Sequence, residues 1–402
     1  MKDKILILGA TRYILPLILK VKEMGFLAYV CTNRADDVGI TYSDKFINSS
    51  ILDTDELVAL ISRENIKSVV TAASDLATLT QGKINDQFNL NGIREKHVKC
   101  VTDKKNLIVL QKELNIAHPQ TFFVTANDKP GKFNDLIKFP SIMKPYFSSG
   151  SRGVRVVNNI DEIKKYHTEV CNSSSLEKGY LLQEFLVGWT EYGCECMVED
   201  GEIIFLELTH KFLNERNVPI GHFAPCEIDS YVKDKIIEDV KKVIKFLEVK
   251  NTPINMDILI KDGESPVIID MSFRLGGNCL PQIMDLKFNL NPFVRIINHS
   301  LAVLNPELQK PNDGCYGSII LGGNSDSVLT TELIIEIKKT ISKAEEIIEF
   351  VLDIPIDSKY EKMSQGNRRF GHIILKTKNL EEYKVIIKEI YKIIEIQGKQ
   401  KC

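Results

Sequence analysis

The chain has 402 residues, and at about 150 residues per domain this length predicts two or three domains rather than one small module. Hydrophobic residues make up 44% and charged residues 26% of the sequence, a composition that is typical of globular proteins and excludes disordered and fibrous classes. Lysine and arginine number 52 against 54 aspartate and glutamate residues, so no excess positive charge favours nucleic acid as a main partner.

The sequence offers no segment that resembles a signal peptide or a membrane span. The N-terminal apolar run, residues 5–8, is too short for a signal peptide, and nowhere do 18 apolar residues run together. The nine cysteines never form a CxxC pair, so we interpret them as reduced core thiols rather than as a zinc site or disulfides. We therefore predict a cytoplasmic protein with no membrane partner.

The first 98 residues alternate apolar strands with helices. Residues 4–8 and 27–31 are apolar throughout, and residues 53–64 have the apolar spacing of a helix. Such an alternation indicates a parallel sheet covered on both faces, so we predict a Rossmann-like α/β domain over 1–98. A dinucleotide fingerprint would need glycines at the positions of Thr11 and Ile14, and NAD binding is therefore not predicted.

From residue 99 the pattern changes to mixed strands and glycine-rich loops. Asp200-Gly201 and Asp262-Gly263 each lie between alternating runs, which is the strongest short-range signal for a β-hairpin. Between these hairpins, residues 231–248 form an amphipathic helix. We predict a central mixed domain over 99–310. We also predict a small C-terminal α+β domain over 311–402, with strands near 316–321 and 372–376 and helices near 331–341 and 380–396.

The second hairpin places acidic side chains on one face. A two-residue loop at 262–263 sets Asp257 opposite Ile268 and diagonal to Asp270, at a distance of about 7 to 8 Å, and Ser272 continues the same face. Two carboxylates this close repel each other unless a cation lies between them. Mg²⁺ takes oxygen ligands from one or two carboxylates and completes its octahedron with phosphates. We interpret this face as a magnesium site, and the alternative is an ordinary solvated face.

Basic residues occur at three further points that suit phosphates. Lys104 follows Asp103, the expected N-cap of a helix, and Lys144 lies in a short strand before a Ser/Gly-rich loop, residues 148–153. Such a loop offers free backbone N–H groups that can fold over phosphates. Arg274 directly follows the second hairpin, where its planar guanidinium suits a phosphoryl group or a carboxylate.

A strand and a glutamate between these features suit a nucleoside. Residues 181–186 read as a buried strand, and Glu191 lies seven residues beyond Glu184 at the start of the first hairpin. The pairing arithmetic of that hairpin sets Glu191 opposite His210. Strand-edge amides followed by a carboxylate suit an adenine and then a ribose diol.

In this order, the features resemble the ATP-grasp superfamily over residues 99 to about 300, and within it the carboxylate-amine ligases of the L-amino-acid ligase and carbamoyl-phosphate-synthase-like group. The resemblance implies ATP and Mg²⁺ as cofactors, with two metal ions and Mn²⁺ as an alternative metal. It implies magnesium-ligand positions at Asp257, Asp270 and Ser272, and catalytic roles for Arg274 and His222. The nucleotide contacts that it implies are Lys104, Lys144, Ser149, Gly150, Ser151, Arg152, Gly153, Gln183, Glu184, Leu186, Glu191 and Lys211.

The implied activity is ATP-dependent ligation of a small-molecule carboxylate and an amine, with amino acids as the expected substrates. An acyl phosphate would be the intermediate, ADP and phosphate the by-products, and a homodimer the expected assembly. Asn278 and Asp75 are weaker candidates for the substrate pocket. One alternative is a purine-biosynthetic or D-alanine:D-alanine-type ligase, or a capsule-modifying amide synthase. Another is a nucleotide-binding protein without turnover, because the family usually has Glu, Glu and Asn at the three metal positions.

Overall fold

The computed structural model describes residues 2–133 and 135–399. Its first part contains a four-stranded parallel sheet in the order β3-β2-β1-β4. The elements are β1 (Lys4–Leu8), α1 (Leu15–Glu23), β2 (Leu27–Cys31), β3 (Lys45–Ile47), α2 (Thr54–Glu64), β4 (Ser68–Val70) and α3 (Asp75–Phe88). Alternate residues of β1 pack on opposite sides: Ile5 and Ile7 in one apolar cluster, Leu6 and Leu8 in another. Both faces of the sheet are covered, which explains why its strands are apolar throughout.

The second part is an antiparallel four-stranded sheet in the order β5-β8-β6-β7. Its elements, with two preceding helices, are α4 (Glu95–Thr102), α5 (Lys104–Glu113), β5 (Thr121–Thr125), β6 (Ser141–Pro145), β7 (Arg155–Val157), α6 (Ile160–Ser173) and β8 (Gly179–Glu184). Asp103 caps α5, as predicted, by accepting from the backbone N–H groups of Lys105 and Asn106. Helix α6 covers one face, where Ile163 and Val170 join the apolar cluster of the sheet. The opposite face carries Lys144.

The remaining strands build an eight-stranded sheet in the order β13-β12-β9-β10-β11-β14-β18-β16, with β15 and β17 forming a separate pair. The elements are β9 (Thr190–Glu199), β10 (Glu202–Leu213), β11 (Pro219–Ala224), α7 (Ser230–Leu247), β12 (Thr252–Ile260), β13 (Val267–Ser272), α8 (Leu280–Phe288), α9 (Pro292–Leu301), β14 (Cys315–Leu321), β15 (Ser327–Val328), α10 (Thr331–Ile341), β16 (Glu346–Leu352), β17 (Lys359–Tyr360), β18 (Gly371–Thr377) and α11 (Leu380–Lys399).

The C-terminal strands extend the central sheet, because β14 pairs with β11 of the preceding part. Strands β18 and β16 then continue the same sheet to its edge. The mixed α/β architecture agrees with the predicted fold class. The domain boundaries at 98 and 310 stay a prediction.

The register that the sequence predicted for the second hairpin is wrong. Residues 261–266 connect β12 to β13, so the loop is longer than two residues. Asp257 pairs directly with Asp270, and Ile268 pairs with Ile258 instead. The residue between these pairs, Ile269, forms a β-bulge and lines the cavity described below. The bulge brings the two carboxylates closer in register than a regular ladder would.

The first hairpin departs from its predicted register for the same reason. Glu202 pairs with Glu199 as the Asp-Gly signal requires, but a bulge after Ile203 shifts every later pair by one residue. His210 therefore pairs with Tyr192 and not with Glu191. A bulge of this kind inserts one unpaired residue that pattern counting does not detect.

The eight cysteines within the described residues are free thiols, and six of them are buried. Cys402 lies outside the described residues. No helix in the described part of the chain is long and apolar enough to span a bilayer.

Candidate active site

A cavity of about 770 Å³ lies between the two antiparallel sheets. It is lined by β6 from the smaller sheet, by β10, β11, β12 and β13 from the larger one, and by the loops that follow β1 and β2. Every site residue predicted from the sequence lines this cavity except Gly153. Gly153 lies at the base of the Ser/Gly loop with φ +75°, and a Cβ there would come within 2.5 Å of the Ser173 side chain. Its position is one that the backbone requires rather than one that faces a ligand.

Two lysines neutralise the paired aspartates. The Nζ of Lys211 lies 2.5 Å from Asp257 Oδ1, and the Nζ of Lys104 lies 3.1 Å from Asp270 Oδ2. Burial would raise the pKa of Asp257, but Lys211 outweighs it and the pKa is lowered. Burial would likewise lower the pKa of Lys104, but Asp270 and then Asp75 raise it. The arrangement keeps Asp257 anionic and Lys104 cationic at neutral pH.

Lys211 joins two carboxylates from neighbouring strands. Its side chain is only 3% exposed, and besides Asp257 it contacts Glu191 at 2.6 Å. Burial acts to lower the pKa of Lys211, but the two carboxylates raise it well above its ordinary value. Glu191, predicted as a ribose ligand, thus lies at the cavity wall with one carboxylate oxygen on this lysine, and its role toward a ribose stays a prediction.

Lys144 is a cation without an anionic partner among the described residues. It lines the cavity from β6, opposite the aspartates of the larger sheet. Burial lowers the pKa of Lys144, against the more distant carboxylates of Asp270 and Glu191, which raise it. Lys144 is partly buried, and an ammonium group withdrawn from water without a partner is costly, so an anion bound in the cavity would stabilise it.

Arg274 is held by the first residue of α3. Its Nε and Nη2 both donate to the carboxylate of Asp75, the latter at 3.1 Å, and its Nη1 donates to the carbonyl of Leu275 at 2.9 Å. Burial acts to raise the pKa of Asp75, but Arg274 and the hydroxyl of Ser272 lower it. Asp75, a weak candidate in the sequence, is therefore the residue that orients the predicted catalytic arginine.

His222 lies on β11, paired in register with Lys211. Its Nδ1 is 2.9 Å from the hydroxyl of Thr209. Burial, and then the charge of Lys211, lower the pKa of His222 to about 3. The imidazole is therefore neutral at physiological pH, where it can donate or accept a hydrogen bond but binds a proton weakly.

The Ser/Gly loop contacts a loop from the C-terminal part of the chain. The N–H of Gly366 donates to the carbonyl of Gly150 at 3.1 Å, and the hydroxyl of Ser151 donates to the carbonyl of Asn217 at 2.9 Å. Gly150 has φ +64° and Ser151 has φ +59°, so the loop makes a left-handed turn over the cavity. The predicted phosphate loop is thus held over the cavity by residues that the sequence did not connect with it.

The predicted adenine hinge lies where β8 ends. The side chain of Gln183 donates to the hydroxyl of Thr121 at 2.9 Å, and Glu184 is exposed. Leu186 lies at the cavity wall, and its backbone N–H makes no hydrogen bond within the described part of the chain. A free amide beside an apolar side chain is suited to the edge of a purine base.

Asn255 was missed as a site residue. It pairs with Ser272, not with Asp270 as the predicted register required, and it lines the cavity two residues before Asp257. A carboxamide therefore lies next to Ser272, the third predicted metal ligand. Its location on the same face as Asp257 was a usable signal, which the wrong register concealed.

Glu195 is a buried residue that contacts both Asn255 and the turn after Arg274. It is 1% exposed, and its Oε1 accepts from the side chain of Asn255 at 2.8 Å and from the N–H of Gly276 at 2.7 Å. Burial raises the pKa of Glu195 to about 8. The carboxyl group is therefore mostly protonated at neutral pH, and it joins β12 to the turn that follows Arg274.

Glu195→Gln is expected to flatten the dependence of stability on pH. The pKa of Glu195 is raised to about 8 from an ordinary 4.5, so the folded state retains a proton that the unfolded state has lost within this window. Stability therefore falls as the pH rises, by at most about 1.4 kcal/mol per pH unit for this group, and glutamine removes that loss. Tm measured across the window tests this, with exposed Glu202→Gln as the control. Parallel Tm curves for wild type and Glu195→Gln would contradict it.

The donor set of the site fits a magnesium ion only in combination with phosphates. Among the described residues, no three His, Cys, Asp or Glu side chains converge as a metal site. Asp257 and Asp270 supply two carboxylates, and Ser272 and Asn255 supply neutral oxygens beside them. Mg²⁺ favours such partial sets, in which substrate phosphates and water complete the octahedron.

Comparison with known proteins agrees with this geometry. A family model for the ATP-grasp domain matches residues 137–282. The carbamoyl phosphate synthase large chain of Clostridium acetobutylicum is 25% identical over 270 residues, which are 63% of this chain and 24% of the synthase. The L-arginine-specific L-amino acid ligase of Bacillus subtilis is 20% identical over 259 residues, 62% of this chain and 61% of the ligase. This chain thus spans about a quarter of the length of the synthase.

Among solved structures, the L-amino acid ligase of Bacillus licheniformis superposes with a TM-score of 0.80 at 13% identity, covering 98% of each chain. At this identity the likeness concerns the fold. ATP-grasp enzymes in general use ATP and Mg²⁺, in agreement with the charges that line the cavity. The family match, the sequence relatives and the fold confirm the resemblance predicted from the sequence: residues 137–282 match the model of an ATP-grasp domain, and the similar proteins are ligases and synthases.

Proposed function

We propose that the protein is an ATP-dependent carboxylate-amine ligase that joins two small molecules through an amide bond and releases ADP and phosphate. The observation that carries the proposal is the charge arrangement of the cavity, where Lys144, which has no anionic partner among the described residues, lies across from the aspartate pair. Free cationic charge on one wall and carboxylates on the other suit a metal-bound triphosphate between two sheets. The two amino acid ligases support an amino acid as one substrate.

In this proposal the residues act mainly by binding and orientation. Lys104, Lys144 and the loop over residues 149–152 hold the phosphates, and the end of β8 holds the adenine. Asp257, Asp270 and Ser272 would hold Mg²⁺, as two ions or with Mn²⁺ in its place, and the metal would offset charge on the phosphates. Arg274, kept in place by Asp75, would stabilise the negative charge that develops on the reacting carboxyl group and on the phosphoryl group transferred to it.

The bond changes proposed are two successive displacements. A carboxylate oxygen attacks the terminal phosphorus of ATP, the bond to ADP breaks, and an acyl phosphate results. The amine nitrogen attacks the carbonyl carbon, the bond to phosphate breaks, and the nitrogen loses a proton as the amide forms. His222 is a weak base because its pKa is lowered to about 3, so the departing phosphate is the better proton acceptor. We assign His222 a hydrogen-bonding role toward the substrate.

The test is a screen for ADP release with MgATP and pairwise mixtures of amino acids, followed by mass spectrometry of the products. We expect at least one pair to stimulate ADP release and to produce a dipeptide in equal amount. Tight binding of ATP with no ADP release in any mixture would instead indicate a nucleotide-binding protein without turnover. ADP release only in mixtures where the amine partner of the carboxylate is a sugar-phosphate amine would favour the purine-biosynthetic alternative.

A further inference from the structure

A second charged cluster lines the same cavity, built on Asp353 and not on the aspartate pair. It joins the loop after β1 to the loop before β18. Asp353 accepts from the Nε of Arg12 at 2.9 Å with one oxygen and from the Nε of Arg369 at 2.9 Å with the other. All three residues line the cavity. Two guanidinium groups share one carboxylate, so the cluster carries a net charge of about +1 at neutral pH.

The guanidinium of Arg369 is incompletely satisfied by the protein. The side chain is 6% exposed, and its Nη1 is buried without a hydrogen-bond partner in the described part of the chain. Asp353 engages both arginines through Nε, which leaves their terminal nitrogens for another acceptor. A buried donor without an acceptor costs roughly 1 to 3 kcal/mol, more for a charged group, so this arrangement calls for a ligand.

Tyr13 and Asn278 fix this guanidinium from the other side. The Cζ of Arg369 lies 3.9 Å from the centre of the Tyr13 ring, and the Tyr13 hydroxyl donates to Asn278 Oδ1 at 2.6 Å. Burial raises the pKa of Tyr13 to about 12, so the hydroxyl remains a donor. Because the Asn278 oxygen accepts this bond, the amide nitrogen of Asn278 is left to donate to a ligand. Asn278 lies four residues beyond Arg274, on the turn that leads from the metal-ligand strand.

We propose that Arg369 and Arg12, with Asn278, form an anion-binding subsite for a negatively charged group on the substrate. The group is a carboxylate or a phosphate ester at the end of the molecule that does not react. That it belongs to a substrate of the ligation rests on the proposed function above. The chemistry selects amines or carboxylic acids that carry a second anionic group, such as amino acids with a free carboxylate, over uncharged amines.

The arrangement favours an anion for a geometric reason as well as for its charge. A planar guanidinium presents parallel N–H donors that match the two oxygens of a carboxylate or phosphate. Stacking on Tyr13 and the bond to Asp353 hold the Arg369 guanidinium in one orientation, which reduces the entropy lost when an anion binds. Lys104 and Lys211 pair with Asp270 and Asp257, whereas Arg12 and Arg369 pair with Asp353, so this cluster is distinct from the aspartate pair expected to hold the metal-bound triphosphate.

Equilibrium binding tests the subsite without any need for turnover. Isothermal titration would compare L-amino acids with their amides, and glycerol 3-phosphate and ribose 5-phosphate with glycerol and ribose. We expect the anionic member of one series to bind, and its uncharged partner to bind at least about tenfold more weakly. The series that binds distinguishes a carboxylate from a phosphate ester. Equal binding of charged and uncharged partners, or no binding by any anionic probe, would overturn the proposal.

Two arginines that are adjacent in sequence provide a matched control. Arg369→Gln should weaken binding of the anionic probe at least about tenfold, whereas Arg368→Gln, which removes an exposed ion pair with Glu361, should leave it unchanged. Arg369→Lys keeps the charge and should give an intermediate value. Should Arg369→Gln fail to fold, the more exposed Arg12→Gln provides the same test. Binding to both Arg369→Gln and Arg12→Gln at wild-type affinity would exclude the subsite.

Kinetics then connect the subsite to the proposed reaction. With a productive pair from the ADP-release screen, Arg369→Gln should raise KM for the anionic substrate about tenfold and change KM for ATP by less than about twofold. If no pair supports turnover, the proposed function fails while the binding experiment still decides the subsite. If turnover occurs equally well with uncharged amines and is unaffected in Arg369→Gln, the function stands and the subsite does not.

Discussion

Asp270→Asn is expected to reduce ATP-dependent ADP release on the order of 10³-fold while the fold is retained. Asp270 pairs directly with Asp257 and contacts Lys104, so the change removes one of the two carboxylates proposed to hold the metal-bound phosphates. Asparagine keeps the shape of the side chain but not its charge, and a neutral oxygen binds Mg²⁺ less well than a carboxylate. Losing electrostatic stabilisation of this kind typically costs two to three orders of magnitude in kcat.

The measurement is the initial rate of ADP release with a productive substrate pair, together with Tm as a check of folding. Asp262→Asn is the matched control, since Asp262 is an exposed acid in the loop of the same hairpin. It should retain the wild-type rate. Activity of Asp270→Asn within severalfold of wild type would remove Asp270 from the metal site.

Lys211→Met is expected to cause a large loss of stability. Lys211 is 3% exposed and contacts both Glu191 and Asp257, so its removal leaves two carboxylates facing each other without a cation. Breaking a fully buried ion pair costs about 3 to 5 kcal/mol. The two carboxylates here are 21% and 30% exposed, so water reduces the cost, and we expect about 2 to 4 kcal/mol.

Thermal unfolding of Lys211→Met should show a Tm lower by several degrees than that of the wild type. Lys250→Met serves as the control, because Lys250 is an exposed lysine in the connection between α7 and β12. Adding Asp257→Asn to Lys211→Met should recover part of the loss, since it removes one of the unpaired charges. A Tm equal to that of Lys250→Met would show that the lysine is not needed to balance the two acids.

Local signals in the sequence predicted most of the elements and the order of the site residues. Apolar strands such as residues 4–8 identified the parallel sheet, and the N-cap at Asp103 and the helix over 331–341 lie where the pattern indicated. The spacing of lysines, Ser/Gly loop, glutamate and aspartates was enough to suggest the family. These features are encoded by residues close in the chain, where backbone geometry and side-chain periodicity leave few alternatives.

The pairing of residues across strands was less accessible from the sequence. Both hairpins contain a bulge, and each bulge changes the partner of a key residue. Asp257 pairs with Asp270 instead of Ile268, and His210 pairs with Tyr192 instead of Glu191. A bulge is one unpaired residue, without a strong composition signal, and it is stabilised by packing on both faces of the sheet. Asn255 was overlooked for this reason, although it lies on the same strand face as Asp257.

The sequence by itself therefore determined the fold class, the resemblance to the ATP-grasp superfamily and most of the residues that line the cavity, because these depend on local periodicity and on the order of motifs along one chain. The tertiary structure alone decided which charges meet. Arg274 forms an ion pair with Asp75, which is 199 residues away in the chain, and Arg12 and Arg369 both pair with Asp353. Ion pairs between such distant segments depend on how separate sheets and loops pack. The sequence around one partner does not indicate which residue the other partner is.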